Sequence, residues 1–398
     1  MSPPPPSPET VLIPSPNGPI TGYDPLTGTV LAQFNGTQCP HNGITMLGDN
    51  QFACSHVSPE TGAGSIHLYY WWSLFYTQNI TLPEPVAPLA ATSDGSYLFS
   101  GGISGHIHSL SLPSGDIIRS FSAHEKAVSC LVISCDGSLL LSGSDDGTIV
   151  VTPILMLLDT ESDLLNFKKI VGHEFPVTGL ITGMGRSDGI MISSSLDWTC
   201  KVWSVVSGIH LQTVNFPGEI WSIVLDPSET ELYAGGKDGK VYRKKLKVET
   251  RKQAAKGGET VEWGGVHDGG VVGVVMLKYG TILLTISENG EVYAWEVDSG
   301  RMISGFVKKI GGVSGVVVVK CDGEFGRKGV QNGVYGSQVV AGVAVKEVVE
   351  MEEGLKEVVE DRRRAISELE SVIEINEKLL NLMLKEADAI SKLETISS

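Results

Sequence analysis

Residues 193–204 read SSSLDWTCKVWS, and His173 stands twenty positions upstream of Ser193. Serine, histidine and, four residues further on, Asp197 are the residue types of a nucleophilic acyl-transfer site. In such a site an aspartate orients the imidazole that takes the serine proton. A site of that kind is needed once and requires an oxyanion hole. Here the set returns in part as His124, Ser142 and Asp146, and again as His267, Thr285 and Asn289, with Trp295 in the place of Trp203. Recurrence suits a structural network better than catalysis. The sequence GRSDG (185–189) matches a nucleophile elbow, but that elbow joins a strand to a helix, whereas a β-rich run, GIMISSS, follows here. TGAGSI (61–66) lacks the lysine of a phosphate loop. YYWWSLFY (69–76) has no interleaved basic residues to support a base-stacking platform, so it is expected to pack in a core or to meet a protein partner. No Cys/His spacing suits a metal. These residues predict no catalytic, cofactor or metal site.

The totals bound the class. The chain has 398 residues, 47 of them glycine, and a formal net charge of −16. That glycine content implies many tight turns between short strands. The acidic balance disfavours direct nucleic-acid binding through a basic face. Six cysteines, Cys39, Cys54, Cys130, Cys135, Cys200 and Cys321, form no CxxC pair and lie partly in apolar runs such as VSCLVISC. Reduced thiols in a nuclear or cytosolic protein fit this better than a disulfide framework. The opening MSPPPPSPE lacks the apolar stretch of a signal peptide and reads as a disordered arm over residues 1–8. No run is long enough to predict a membrane span.

A repeat organises the middle. LFSGGISGHIHSL, LLSGSDDGTIVVT, MISSSLDWTCKVW, LYAGGKDGKVYRK and LLTISENGEVYAW align on Ser100, Ser142, Ser193, Ala234 and Thr285, which are 42, 51, 41 and 51 residues apart. A period of about 40–45 residues with insertions resembles WD-repeat propeller blades. Asp136-Gly137 and Asp146-Gly147 separate three β-rich runs in one unit, as hairpin turns do. FACSHVSPETGAGSIHLYYWW reads as a blade with a long hairpin insertion. TVLIPSPNGPITGYDPLTGTVLAQF supplies three strands of a blade without its opening strand. Seven blades result, over residues 9–345. The missing strand is expected from 313–321 or 336–346, closing the ring so that no sheet edge stays open. In blades of this type the recurring His, Ser or Thr, Asp and Trp bond to one another, and that role is expected of His173, Ser193, Asp197, Trp203, His124, Ser142, Asp146, His267, Thr285 and Trp295.

Residues 346–398 lose nearly all glycine and fall into heptads. One seam position holds Val359, Ile366, Ile373, Leu380 and Ala387; the other holds Leu355, Arg362, Leu369, Asn376, Met383 and Ile390. Apolar residues at both positions predict a coiled-coil helix, with Asn376 fixing register. Such a seam requires a second helix, from another copy of the chain or from a different subunit. The run Arg362-Arg363-Arg364 reads as a solvated helix face or a small docking point.

The series GGISGHIHSLSLPSGDIIRSFSAHEKAVSCL, SGSDDGTIVVTPILMLLD, GHEFPVTGL, SSSLDWTCKVWSVVSG and EIWSIVLDPSETELYAGGKDGKVY resembles, in that order, a particular WD-repeat group. It is the WD-repeat subunit of the Rix-type pre-60S ribosome maturation complex, the group of WD repeat-containing protein 18 and the plant root-initiation-defective proteins. The insertion at 156–169 and the helical tail match that group too. The Trp-Asp dipeptide is replaced by Trp203-Ser204 and Trp295-Glu296, and 248–265 is an added insertion. The resemblance implies a non-catalytic nuclear scaffold for pre-60S maturation and processing of an rRNA internal transcribed spacer. Its implied partners are a Rix/PELP-type helical-repeat subunit, a HEAT-type subunit, the midasin AAA ATPase and the pre-60S particle. A substrate receptor of a ubiquitin ligase, a replication-licensing scaffold and a Ser193 enzyme are the competing readings.

Overall fold

Short strands joined by glycine turns close into a seven-bladed propeller. The structure, a computed structural model, describes residues 9–48, 50–112, 114–159, 167–183, 189–246, 261–262, 267–277, 280–307 and 312–320. The expectations placed on 1–8, on 336–346 as a closing strand and on the coiled coil of 346–398 lie outside these residues. So do GRSDG, apart from Gly189, and most of the 248–265 insertion.

Each blade is a four-stranded antiparallel sheet. Along the chain, blade 2 spans 44–81, blade 3 86–122, blade 4 128–171, blade 5 177–215, blade 6 220–262 and blade 7 271–307. Blade 1 is shared between the two ends of the described chain. Residues 9–34 supply its outer three strands, and Val317–Lys320 supplies the inner one, pairing Thr10 with Val319 and Leu12 with Val317. The closing strand therefore comes from the first of the two expected segments. The inner strands neighbour one another around the whole ring.

Second strands such as LLLSGS (139–144) and IMISSS (190–195) are apolar or small throughout because both faces are covered by adjacent blades. Seven apolar clusters fill the seven interfaces between blades, so the core is a ring of slabs rather than a single centre. A bulge in the inner strand recurs at Val128/Cys130, Val177/Gly179, Ile220/Ser222 and Val271/Gly273. Beside each of the first three bulges a hydroxyl reaches the next blade. Ser129 Oγ donates to the Val177 carbonyl, Thr178 Oγ1 to Ile220 at 2.7 Å and Ser222 Oγ to Val271 at 3.0 Å.

Two local expectations change. Residues 51–70 carry no inserted hairpin: Gln51–Val57 and Gly64–Tyr70 are themselves the long second and third strands of blade 2, joined by a short turn. The aromatic run 69–76 divides. Tyr69 is buried on the strand, while Trp72, Leu74, Phe75 and Tyr76 lie beyond its end and are exposed. The insertion after blade 4's third strand opens with one helical turn, Ile154–Leu158, whose Ile154 and Leu157 join the core between blades 3 and 4.

Candidate functional site

In blade 5 the loop before the inner strand delivers His173, the second strand Ser193, the following turn Asp197 and the third strand Trp203. The register puts Ser193 opposite Lys201 and Met191 opposite Trp203, so the serine and the indole point to the same side. His173 Nδ1 lies 2.7 Å from Asp197 Oδ2, and Nε2 lies 2.7 Å from Ser193 Oγ. Trp203 Nε1–H donates to Ser193 Oγ at 2.9 Å, and Thr199 Oγ1–H donates to Asp197 Oδ1 at 2.6 Å. One arrangement satisfies every atom: Nδ1–H donates to the carboxylate, and the serine hydroxyl donates to Nε2 while accepting from the indole. Burial raises the Asp197 carboxyl, but the bonds from His173 and Thr199 outweigh it and bring the pKa to about 2.

This is the hydrogen-bond order of a nucleophilic triad, and the difference lies in access. Ser193 is fully buried, and its free lone pair is taken by Trp203. An acyl group would have to reach Oγ through a packed slab.

The same geometry returns in blade 7. His267 Nε2 and Trp295 Nε1 each lie 2.9 Å from Thr285 Oγ1. The carboxylate there is Glu291, 3.5 Å from His267 Nδ1, and not the neighbouring Asn289 that the repeat pattern suggested. The longer side chain of Glu291, two residues further on, reaches back to the imidazole. In blade 4, His124 bonds Ser142 at 2.8 Å and Thr148 at 2.9 Å, with Asp146 3.7 Å away. Thr152 stands there where Trp203 stands in blade 5. Burial pulls His124 down to about 4 despite the attraction of Asp146.

The other blades rebuild the network in ways the repeat pattern did not reveal. In blade 3, Glu84 accepts from Ser104 at 2.7 Å and meets His108 Nε2 at 3.1 Å, while Ser120 bonds the other imidazole nitrogen at 2.8 Å. In blade 2, Tyr69 lies opposite Phe52 as Trp203 lies opposite Met191, and Thr37 joins Tyr69 to His67 through bonds of 2.5 Å. Blade 6 abandons the polar pair. Phe216 takes the histidine position, Ala234 the serine position, and Tyr242 packs on Phe216 and donates to Asp238 at 2.5 Å. Removing donor and acceptor together leaves nothing unpaired.

Two hydroxyls at these positions are exceptions, Thr152 Oγ1 of blade 4 and Ser100 Oγ of blade 3. Ser100 occupies the serine position of blade 3, yet its buried Oγ has no partner among the described residues. Ser100→Ala is expected to leave stability unchanged or raise it by up to about 1 kcal/mol, since it removes an unpaired buried group. Ser193→Ala strands Trp203 Nε1–H and His173 Nε2 and should cost about 2 kcal/mol. Urea midpoints of the two variants, compared with the parent, check both signs.

Among the described residues no group of three or more His, Cys, Asp or Glu side chains could hold a metal ion. Cys39, Cys54, Cys130 and Cys200 are buried free thiols, and Cys135 is an exposed one. The sequence features identify the repeat independently. The family described as WD domain, G-beta repeat matches residues 115–151 and 166–204. Protein ROOT INITIATION DEFECTIVE 3 of Arabidopsis thaliana is 34% identical over 307 residues, covering 75% of this chain and 68% of that protein. WD repeat-containing protein 18 of Homo sapiens is 29% identical, covering 70% of this chain and 64% of its own length. The pre-rRNA-processing protein crb3/ipi3 of Schizosaccharomyces pombe is 26% identical over 54% of this chain and 49% of its own. The chain thus spans from half to about two thirds of these relatives. The crystal structure of the computationally designed Ika8 protein superposes with a TM-score of 0.55 at 19% identity, over 77% of this chain and 86% of that one, a likeness of fold alone.

Proposed function

Because this chain belongs to the WD-repeat family of ROOT INITIATION DEFECTIVE 3, WD repeat-containing protein 18 and the Ipi3/Crb3 pre-rRNA-processing proteins, we propose that it is a non-catalytic scaffold for maturation of the pre-60S ribosomal subunit in the nucleus. The observation that carries the reading is the alignment of its propeller with relatives whose own names specify pre-rRNA processing. The polar networks support it. They recur from blade to blade and are buried, so the function falls to surfaces rather than to a reacting group. In this role the blades hold a rigid ring, and the chain contributes to processing of an rRNA internal transcribed spacer by assembling others. The partners are a Rix/PELP-type helical-repeat subunit, a HEAT-type subunit and, through them, the midasin AAA ATPase. The heptad seam of residues 346–398 is the proposed attachment, through a second copy or another subunit.

Affinity purification of the tagged full-length chain tests this. Pre-60S assembly factors are expected in the eluate. Recovery of ubiquitin-ligase subunits in their place would overturn the scaffold reading. Deleting 346–398 should remove the helical partner while the melting temperature of the propeller stays unchanged, and an intact complex after deletion would refute the role of the seam.

A further inference from the structure

The turn between the second and third strands holds a left-handed residue in each of blades 3 to 7. Four times it is glycine: Gly105, Gly147, Gly239 and Gly290, with φ of 87°, 78°, 78° and 90°. In blade 5 it is Trp198, with φ of 66°. The turn itself is unchanged, because the same carbonyl accepts the same bond. His124 N–H bonds Gly105, His173 N–H bonds Gly147 and His267 N–H bonds Gly239, and Phe216 N–H bonds Trp198 at 2.9 Å. A Cβ built on Gly147 or Gly239 would press into the carbonyl of His173 or His267. A bulky side chain is therefore the least suited choice for this backbone. Packing does not repay it, since Trp198 is 53% exposed.

A second anomaly adjoins the first. Phe175 is 55% exposed, and its carbonyl accepts from Ser195 Oγ, three residues before Trp198. The corresponding loop positions of blades 4, 6 and 7 are Lys126, Gly218 and Gly269. Blade 5 thus presents two large aromatic rings at one end of the propeller where its sisters present glycine or lysine. Glu174 is exposed beside Phe175, and the blade 4 turn that lies against the Phe175 carbonyl at Gly147 carries the exposed Asp145; Lys126 and Lys169 are the cations of that blade, Lys169 standing 3.9 Å from Glu125. The chain as a whole is acidic.

We propose that Trp198 and Phe175 form a docking point for a short segment of another protein, one that lays an apolar side chain on the two rings and sets Lys or Arg against Glu174 and Asp145. Backbone strain kept at an exposed aromatic is the mark of a functional position. Desolvated aromatics carry a large share of interface energy, and the acidic rim selects the charge of the partner. The inference goes beyond the scaffold reading and does not depend on which complex the protein joins.

The probe is a random library of twelve-residue peptides, selected on the full-length chain and tested by fluorescence anisotropy. Enriched peptides are expected to carry Lys or Arg flanking a large apolar residue. They should bind Trp198→Gly and Phe175→Ala at least tenfold more weakly, and Trp198→Gly should melt at the same or a higher temperature than the parent. Any of four results overturns the proposal: no enrichment, acidic peptides, binding that ignores Trp198→Gly, or a lower melting point for that variant, which would make the indole a packing group. Self-association lost on Trp198→Gly would place a second copy on this face and overturn it as well.

Discussion

Lowering the pH from 7 to about 4.5 is expected to drain stability from the propeller through its buried imidazoles, with only the burial-raised carboxyl of Asp145, among the described residues, acting the other way. His124 has an ordinary value of 6.5 when unfolded, and burial brings it to about 4 in the folded blade. Between those values the unfolded chain binds a proton that the native chain refuses, so stability falls as pH falls through the window and is fully present above 6.5. Two and a half pKa units correspond to about 3 kcal/mol at most. His67 is pulled to about 4 by burial and by the neighbouring His56, and burial also lowers His108 and His267, so all act in the same direction. Asp146 and Asp197, held near about 2 by bonds that outweigh their burial, keep their contribution until the pH drops below 3.8 and so cannot produce this loss. Urea midpoints measured at half-unit steps from pH 7.5 to 4.5 decide the matter. A flat profile, or one rising toward acid, would show that these imidazoles are not held neutral.

What could be read from the sequence was whatever the chain encodes locally. Ser100, Ser142, Ser193, Ala234 and Thr285 align in sequence and all take the same place in the register, opposite Leu89, Leu131, Leu180, Ile223 and Val274 of their inner strands. In blades 3, 4, 6 and 7 a tight turn with one left-handed residue, Gly95, Gly137, Glu229 or Gly280, dictates that register within a dozen residues. The substituted networks were not legible because their members are distant in sequence or changed in type. Thr37 meets His67 and Tyr69, thirty and thirty-two residues further along the chain, and a threonine holds the position although a histidine, His41, stands nearer the first strand of the blade. Glu291 replaces Asn289 only because a longer side chain reaches back, a matter of χ angles that a residue alignment does not carry. The aromatic run 69–76 looked uniform in letters but crosses the end of a strand at Tyr70, and beyond it Trp71 still packs on the core while Trp72, Leu74, Phe75 and Tyr76 are exposed. Two apolar segments were equally fit to close blade 1 by composition, and backbone pairing selects 317–320.

Blade 6 indicates how the polar network can be exchanged, and the exchange is expected to be strongly non-additive. His124→Phe in blade 4 removes both imidazole bonds and leaves Ser142 Oγ only the 3.5 Å contact with the Val150 carbonyl, while Thr148 Oγ1 keeps Asp146, so it should cost about 2 kcal/mol. Ser142→Ala alone leaves His124 Nε2 unpaired and should cost about 1–2 kcal/mol. The pair His124→Phe with Ser142→Ala reproduces the combination of Phe216 and Ala234, in which neither partner is left wanting a bond. It should return stability to within about 1 kcal/mol of the parent, giving a coupling of about 2 kcal/mol. Blade 4 is the right recipient and blade 5 is not. The third strand of blade 4 carries Thr152, whereas in blade 5 the loss of Ser193 would orphan the Trp203 indole. Asp146 keeps the Thr148 bonds and the Glu125 N–H in either case. The double variant should also flatten the acid-induced loss, because the imidazole that refuses the proton is gone. If the two substitutions simply add, or if the double variant keeps the full pH slope, then His124 and Ser142 do not act as a unit and the blade is held by its apolar slabs alone.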